Sequence, residues 1–284
     1  MRTHSLLLSL SLLASCASAP APSAEASDAE PLPGLSSVGG PQFKTGKPMP
    51  APESVSRFLL SLPAQDVLAS QKLRQRYLQE NVLVQEVPGQ AGSRNYLVVD
   101  RNGSSYGFWI RSFQGARPEL TGYLVEVRGL CADLQGTDVA AAERQCDVTG
   151  TRYFDSGMRA YRVIDGQPPE DVTASIAPDP AVSKAQREHY ASLGASPIFA
   201  DVENLDQVPV LRWVVEFDPE QTSTSSEPPI FDGGHHAHAG FIVWNGERFE
   251  RRATVPRALW PCGPAGRPSE CPPRSRDGDP FVTD

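Results

Sequence analysis

The sequence predicts an α+β fold in which a β-rich antiparallel domain follows an N-terminal helical pair and contains a disulfide-stapled loop. Three observations predict it. Apolar residues recur at helical spacing between Val55 and Leu78, several later segments alternate apolar and polar residues, and Asn245-Gly246 separates two of those segments. Because Asn-Gly suits the tight turn of a β-hairpin, the segments on either side are expected to pair as antiparallel strands.

The helical pair is predicted on either side of Pro63. Apolar residues from position 55 to 62 share one face of a first helix, and those from 67 to 78 share one face of a second. A third helical pattern covers 180–193. Spacings of three and four residues place side chains on one helix face, so each pattern predicts an amphipathic helix that packs against the rest of the domain.

Segments rich in aromatic and β-branched residues predict the strands. In chain order they are 82–87, 96–99, 106–113, 123–127, a strand ending at 163–164, 208–217, 241–244 and 247–255. A turn is predicted at 100–103, where Asp, Arg, Asn and Gly follow each other. No internal repeat of fixed period is present in the sequence.

The N-terminus is typical of an export signal. A short basic start precedes a Leu-rich run over 5–14, which is too short for a membrane span of about 20 residues. The run ends in Leu13, Ala14, Ser15 and Cys16. This motif resembles the lipobox of bacterial lipoproteins, in which an apolar residue and two small residues precede a cysteine that accepts the lipid.

The resemblance covers these residues only, and it implies where the chain is anchored. It implies a signal peptide at 1–15 and a lipid anchor at Cys16. Because Ala17 rather than Asp follows the cysteine, it also implies sorting to the outer membrane. The chain would face the periplasm, with exposure at the cell surface as the alternative.

Three further regions follow the signal peptide. The stretch 16–52 is predicted to be a disordered tether, because residues 17–52 include eight Pro and four Gly among many Ala and Ser. The folded domain is predicted at 53–271, and an irregular tail at 272–284.

The cysteine count agrees with export to an oxidising compartment. Lipidation of Cys16 leaves four of the five cysteines, and an even number in an exported chain predicts disulfides. Four cysteines allow three pairings, and proximity favours Cys131 with Cys146 and Cys262 with Cys271. The stretch from Cys131 to Cys146 is polar and is expected to be a loop. The spacing lacks the close ligand pairs of a structural zinc site.

The most unusual local feature is a histidine cluster. Three of the five His in the chain, His235, His236 and His238, follow Asp232 within six residues. On an extended segment His236 and His238 would lie on one side and could chelate a divalent metal such as zinc. Asp232 or a distant carboxylate would complete the site. The alternative interpretation is a polar turn that enters a strand.

Other candidate motifs receive structural interpretations. The letters G-x-S-x-G occur at 103–107, but a nucleophile elbow needs a helix after the serine, and a strand is predicted there. The glycines are therefore assigned to a hairpin and a strand irregularity. Tryptophans on alternating strands are expected in the core. They are Trp109, Trp213, Trp244 and Trp260. Arginines at 248, 251, 252 and 257 are expected on a solvated strand face.

These features favour a lipid-anchored envelope protein that acts by binding. The partner would be an envelope protein, peptidoglycan, or a toxin or enzyme that the chain inhibits. The net charge of −8 argues against binding to nucleic acid. The alternative is a metal-dependent hydrolase that uses His235, His236 and His238. No set of catalytic residues is assigned from the sequence, so a non-enzymatic role is favoured.

Overall fold

A computed structural model describes residues 47–80, 82–99, 106–134, 139–149, 152–177, 199–202, 205, 208–216, 230–231, 236–256, 259 and 282–283. Its larger sheet is antiparallel throughout, in the order β1-β2-β3-β4-β5-β7-β8, with β6 also paired to β5. Its strands are β1 (Lys47–Met49), β2 (Val82–Glu86), β3 (Arg94–Val99), β4 (Tyr106–Gln114), β5 (Leu120–Leu130), β6 (Tyr153–Asp155), β7 (Arg159–Ile164) and β8 (Glu170–Asp171).

A second antiparallel sheet has the order β11-β12-β10-β9, with β13 also paired to β12. Its strands are β9 (Phe199–Asp201), β10 (Val210–Glu216), β11 (Ile230–Phe231), β12 (His236–Trp244) and β13 (Phe249–Arg252). A short parallel pair joins β14 (Val255–Pro256) to β15 (Val282–Thr283). The prediction of a sheet-rich, mainly antiparallel architecture is confirmed.

Five helices belong to the described residues. They are α1 (Glu53–Ser61), α2 (Ala64–Val67), α3 (Gln71–Leu78), α4 (Ala140–Thr149) and α5 (Thr173–Ile176). The second predicted helix, over 67–78, is interrupted, because Leu68 has a left-handed backbone with φ 49°. Ser70 then starts α3, and its Oγ accepts a hydrogen bond of 3.1 Å from the Leu73 amide. A serine cap of this kind satisfies an amide that has no partner within the helix.

Arg74 ties the two longer helices of this region together. Its side chain is buried, and its Nη1 donates to the carbonyl of Leu59 at 2.5 Å and to that of Leu62 at 2.8 Å. Both acceptors lie at the C-terminal end of α1, where carbonyls lack helical partners. The guanidinium therefore caps α1 from α3. Burial lowers the pKa of Arg74 from its ordinary value.

The larger sheet packs on both of its faces. Apolar residues of α1, α2 and α3 form one core with side chains such as Phe108 and Val125. The opposite face forms a second core with the second sheet, and this core includes Trp109 and Trp213. The described part of the chain thus has helices, a large sheet and a small sheet in three layers. The larger sheet can contribute to both cores because successive side chains along each strand point to opposite faces of the sheet.

The larger sheet starts earlier in the chain than the predicted domain. The larger sheet includes Lys47–Met49, which lies before the predicted domain start at Glu53 and within the predicted tether.

The stretch between Cys131 and Cys146 was expected to be a loop, and this expectation is wrong. A 3₁₀ turn occupies Cys131–Asp133 and helix α4 begins at Ala140. Three consecutive alanines favour that helix, although its apolar face is weak.

The predicted hairpin around Asn245-Gly246 is present with a longer connection. Trp244 pairs with Phe249, so the loop has four residues and β13 starts later than expected. The Asn245 Oδ1 accepts hydrogen bonds from the amides of Glu247 at 2.9 Å and Arg248 at 3.0 Å. The asparagine side chain thereby forms the turn, as short polar side chains often do.

Candidate functional site

The histidine cluster lies partly on strand β12. His236 and His238 belong to that strand, while Asp232 and His235 lie outside the described residues. The register places Glu216 of β10 directly opposite His236, and Val214 opposite His238. On its other side, position 236 pairs with Phe231 of β11.

Glu216 is the residue that the sequence analysis did not connect with the cluster. It lies 20 positions before His236, and nothing local in the sequence shows that the two strands pair. Directly opposite positions in an antiparallel pair are close neighbours on one sheet face. Within the described ranges, no group of three or more His, Cys, Asp or Glu forms a metal-binding set.

A disulfide joins Cys131 and Cys146, as the sequence predicts, with the two Cα atoms 5.8 Å apart. It links the end of β5 to α4. The Gln145 side chain extends this link, because its Nε2 donates to the Asp155 carbonyl at 3.0 Å and its Oε1 accepts from the Asp155 amide at 2.8 Å. Cys16, Cys262 and Cys271 lie outside the described residues.

The G-x-S-x-G letters do not form a nucleophile elbow. Residues 103–105 lie outside the described residues, but β4 begins at Tyr106, where an elbow would require a helix. The register of β3 and β4 shifts between Val98 and Val99, which leaves Gly107 as the extra residue of a bulge. A Cβ at Gly107 would approach the Tyr77 ring to 2.9 Å. The glycine therefore serves a close approach between α3 and the sheet, and the predicted strand irregularity is confirmed.

A charged network lies where β5 meets β6. Arg128 donates to Asp155 Oδ2 at 2.5 and 3.0 Å, and its Nη2 lies 3.2 Å from Glu126 Oε1. Glu126 is fully buried, so its carboxylate depends on such partners. Asp155 also accepts from the Gly157 amide at 2.8 Å through its other oxygen. These bonds hold two carboxylates on one guanidinium, an arrangement that fixes the strand junction.

Arg111 is a second charged group in the interior. It is fully buried on β4, and its Nε donates to the Leu205 carbonyl at 2.8 Å. Its Nη2 donates to Gln90 Oε1 at 2.8 Å, and its Nη1 donates to the Ser112 carbonyl. The guanidinium carbon also lies 4.3 Å from the centre of the Phe113 ring. Arg111 therefore holds two loops against the sheet.

Three polar atoms on the large sheet are buried without a hydrogen-bond partner among the described residues. They are the donors Trp109 Nε1 and Arg159 Nε and the acceptor Gln85 Oε1. Trp109 lies directly opposite the buried Glu126 in the register of β4 and β5. A buried polar atom without a partner costs about 1–3 kcal/mol, and a water molecule or a polar ligand could satisfy it.

A second charged network connects α2 with strands β7 and β8. Arg159 Nη2 lies 2.6 Å from Asp171 Oδ2 and 3.7 Å from Asp66 Oδ1, and the Tyr161 hydroxyl donates to Asp66 Oδ2 at 3.3 Å. Burial raises the pKa of the Tyr161 hydroxyl. Burial also tends to raise the pKa of Asp171, but hydrogen bonds from Thr173 and Arg159 outweigh it and leave that pKa lowered. The network therefore stabilises charges at a sheet edge.

The aromatic and basic residues take structural positions. Trp109 and Trp213 are fully buried and Trp244 is nearly so, which confirms the prediction for these three; Trp260 lies outside the described residues. Arg248 and Arg252 contact Glu250 of β13 at 3.2 and 3.0 Å. Arg251 instead donates to the carbonyls of Ala174 and Ala177, at 2.9 and 3.0 Å. It thus binds carbonyls at the end of α5; Arg257 is not among the described residues.

Comparisons with known protein families, curated proteins and solved structures find no match to this chain. Within the described ranges, no helix is long and apolar enough to cross a membrane.

Proposed function

We propose that this chain is a bacterial lipoprotein of the cell envelope that is anchored through Cys16 and acts by binding. The lipobox and the short apolar run support the signal peptide at 1–15, the anchor and the outer-membrane location. The structural observation that supports the proposed location is the disulfide between Cys131 and Cys146, because such bonds persist in oxidising compartments. This support is independent of the N-terminal motif.

The proposed partner is an envelope protein, peptidoglycan, or a toxin or enzyme that the chain inhibits. The Pro-rich stretch before β1 is the proposed tether, and a flexible chain of that length spans about 30 Å. It would hold the folded region away from the membrane and within reach of such partners. A net charge of −8 makes a nucleic acid an unsuitable partner.

Fractionation of cells that produce the chain tests the anchor. The wild type should partition with the outer membrane and take up labelled palmitate, and Cys16→Ser should be released from the membrane and take up none. Ser15→Ala, which keeps a small residue before the cysteine, is the matched control and should behave as the wild type. Membrane retention of Cys16→Ser would overturn the proposed anchor.

Binding is tested with the exported chain immobilised through its C-terminus. Purified peptidoglycan and an extract of envelope proteins are passed over it separately, so the two partner classes give separate results. The matched bait carries Cys131→Ser and Cys146→Ser, which removes the disulfide but preserves the charge. If neither preparation yields saturable binding, the binding function is contradicted for these two partner classes.

A metal-dependent hydrolase is the second candidate, and one observation favours it. The register of β10 and β12 brings a carboxylate-bearing residue, Glu216, opposite His236, while His238 follows two positions along the same strand. Two histidines and a carboxylate form a common zinc ligand set in hydrolases. His235 and Asp232 remain the further candidate ligands.

A further inference from the structure

Strand β1 ends the larger sheet within the described part of the chain, and its sequence has an unusual pattern. Prolines occur at every second position, at Pro48, Pro50 and Pro52. The intervening residues, Lys47, Met49 and Ala51, each retain a backbone amide. Because successive amides of an extended strand point to opposite edges, this alternation puts all the missing donors on one edge.

The pairing of β1 with β2 shows which edge lacks donors. Lys47 pairs with Val84, Pro48 with Leu83, and Met49 with Val82, all antiparallel. Alternate pairs in such a ladder exchange two amide–carbonyl hydrogen bonds, and proline has no amide hydrogen to give. The bonded pairs must therefore be those of Lys47 and Met49. The nitrogen of Pro48 faces away from the sheet, and Pro50 follows with the same parity.

We propose that β1 is an edge cap that closes the larger sheet to strand addition by a second copy of this chain. Its inward edge donates hydrogen bonds to β2, and its outward edge has no amide hydrogen at positions 48 and 50. An edge strand with free amides is a template for pairing with another chain, and proline on the outer edge removes that template.

The opposite end of the sheet has features of the same kind. Strand β8 has only two residues, Glu170 and Asp171, both acidic and exposed, and Pro168-Pro169 directly precedes it. Short, charged and proline-flanked strands resist edge pairing for the same physical reason. Two such ends on one sheet indicate protection against self-association. At one of these ends the protection comes from β1, which precedes the helices in the chain.

The test restores the outward donors without adding apolar surface. A Pro48→Thr, Pro50→Thr variant gains two outward amides, and a matched Lys47→Thr, Met49→Thr variant gains none. All chains carry Cys16→Ser, so that no lipid contributes to association. Sedimentation over a concentration series should show that the Pro48→Thr, Pro50→Thr variant associates with itself about tenfold or more strongly than the parent chain. The matched variant should sediment as the parent chain does.

Hydrogen exchange tests the same assignment without relying on association. The amides of Val82 and Val84 should be protected from exchange in the parent chain and in the Pro48→Thr, Pro50→Thr variant. They should lose protection in Met49→Pro, because the proline ring would replace the amide hydrogen that faces the Val82 carbonyl and would displace β1 from β2. Equal association of the parent and both threonine variants, or protection of those amides in Met49→Pro, would overturn the proposal.

Discussion

The indole ring of Trp244 lies directly on Gly122. A Cβ built at position 122 would stand 2.6 Å from Cζ3 of that ring. The indole Nε1 also donates to the Gln114 carbonyl at 3.0 Å. Beside this contact, the Ala116 amide donates to the Gly246 carbonyl at 2.7 Å, so the β12–β13 hairpin is held on the larger sheet. The absence of a side chain at Gly122 is what allows the two sheets to approach here.

Gly122→Ala should therefore destabilise the protein by about 1–3 kcal/mol, the usual cost of overpacking a core. Chemical denaturation measures it. The control is a double-mutant cycle with Trp244→Leu, which removes the ring that the new methyl group meets. If the contact is the cause, the double variant should be more stable than the sum of the two single changes predicts. Strict additivity would mean that Gly122 acts through some other contact.

Local patterns predicted much of this fold, whereas non-local pairings were not predictable. The spacing of Val55, Phe58 and Leu59 predicted α1, because helical periodicity depends only on residues three and four positions apart in the sequence. Helix α4 was missed because, over 140–147, where side-chain burial is described, only Ala142 is fully buried, which leaves no strong apolar face. The opposition of Glu216 and His236 depends on strand order, and no short segment encodes strand order.

The disulfide between Cys131 and Cys146 should contribute to stability. Closing a loop of 15 residues is worth about 3 kcal/mol in the chain-entropy model, so Cys131→Ser, Cys146→Ser should lower the free energy of unfolding by a similar amount.

Non-reducing peptide mapping of the wild type should also recover Cys262 joined to Cys271. A peptide that joins Cys131 or Cys146 to either of those residues would contradict both pairings.

Tyr123 should make the protein less stable at alkaline pH. Burial raises the pKa of its hydroxyl from 10.0 to about 12, and its ring stacks on Phe58 with centroids 4.1 Å apart. The unfolded chain loses this proton near pH 10 while the folded chain keeps it, so stability falls as the pH rises from 10 towards 12.

Tyr123→Phe keeps the stacked ring and removes the ionisable group, so its free energy of unfolding should fall less over that pH range. The difference should be on the order of 2–3 kcal/mol at the alkaline end. Tyr153→Phe, on the short strand β6, serves as the control for removal of a tyrosine hydroxyl. If both variants change the pH dependence equally, the effect does not come from the buried position of Tyr123.

The two candidate functions predict different responses to divalent metals. If His236 and His238 chelate an ion, added zinc should raise the melting temperature of chelator-stripped protein. The gain is about 2.7 kcal/mol at a hundredfold excess over the dissociation constant. It should shrink as the pH falls through about 6.5, because protonated imidazole cannot bind a metal. The binding function requires no such response.

We expect no metal-specific shift, because the cluster follows a polar stretch over 221–229 and its His236 and His238 lie at the start of β12, where strand pairing requires no metal ion. Melting is measured with zinc, nickel, copper and calcium at neutral and mildly acidic pH. A shift that His236→Ala, His238→Ala abolishes and that Glu216→Gln reduces would contradict this expectation. Such a result with hydrolytic activity would favour the hydrolase. Without hydrolysis it would identify a structural metal site in a binding protein, because the ion would then only cross-link β10 and β12.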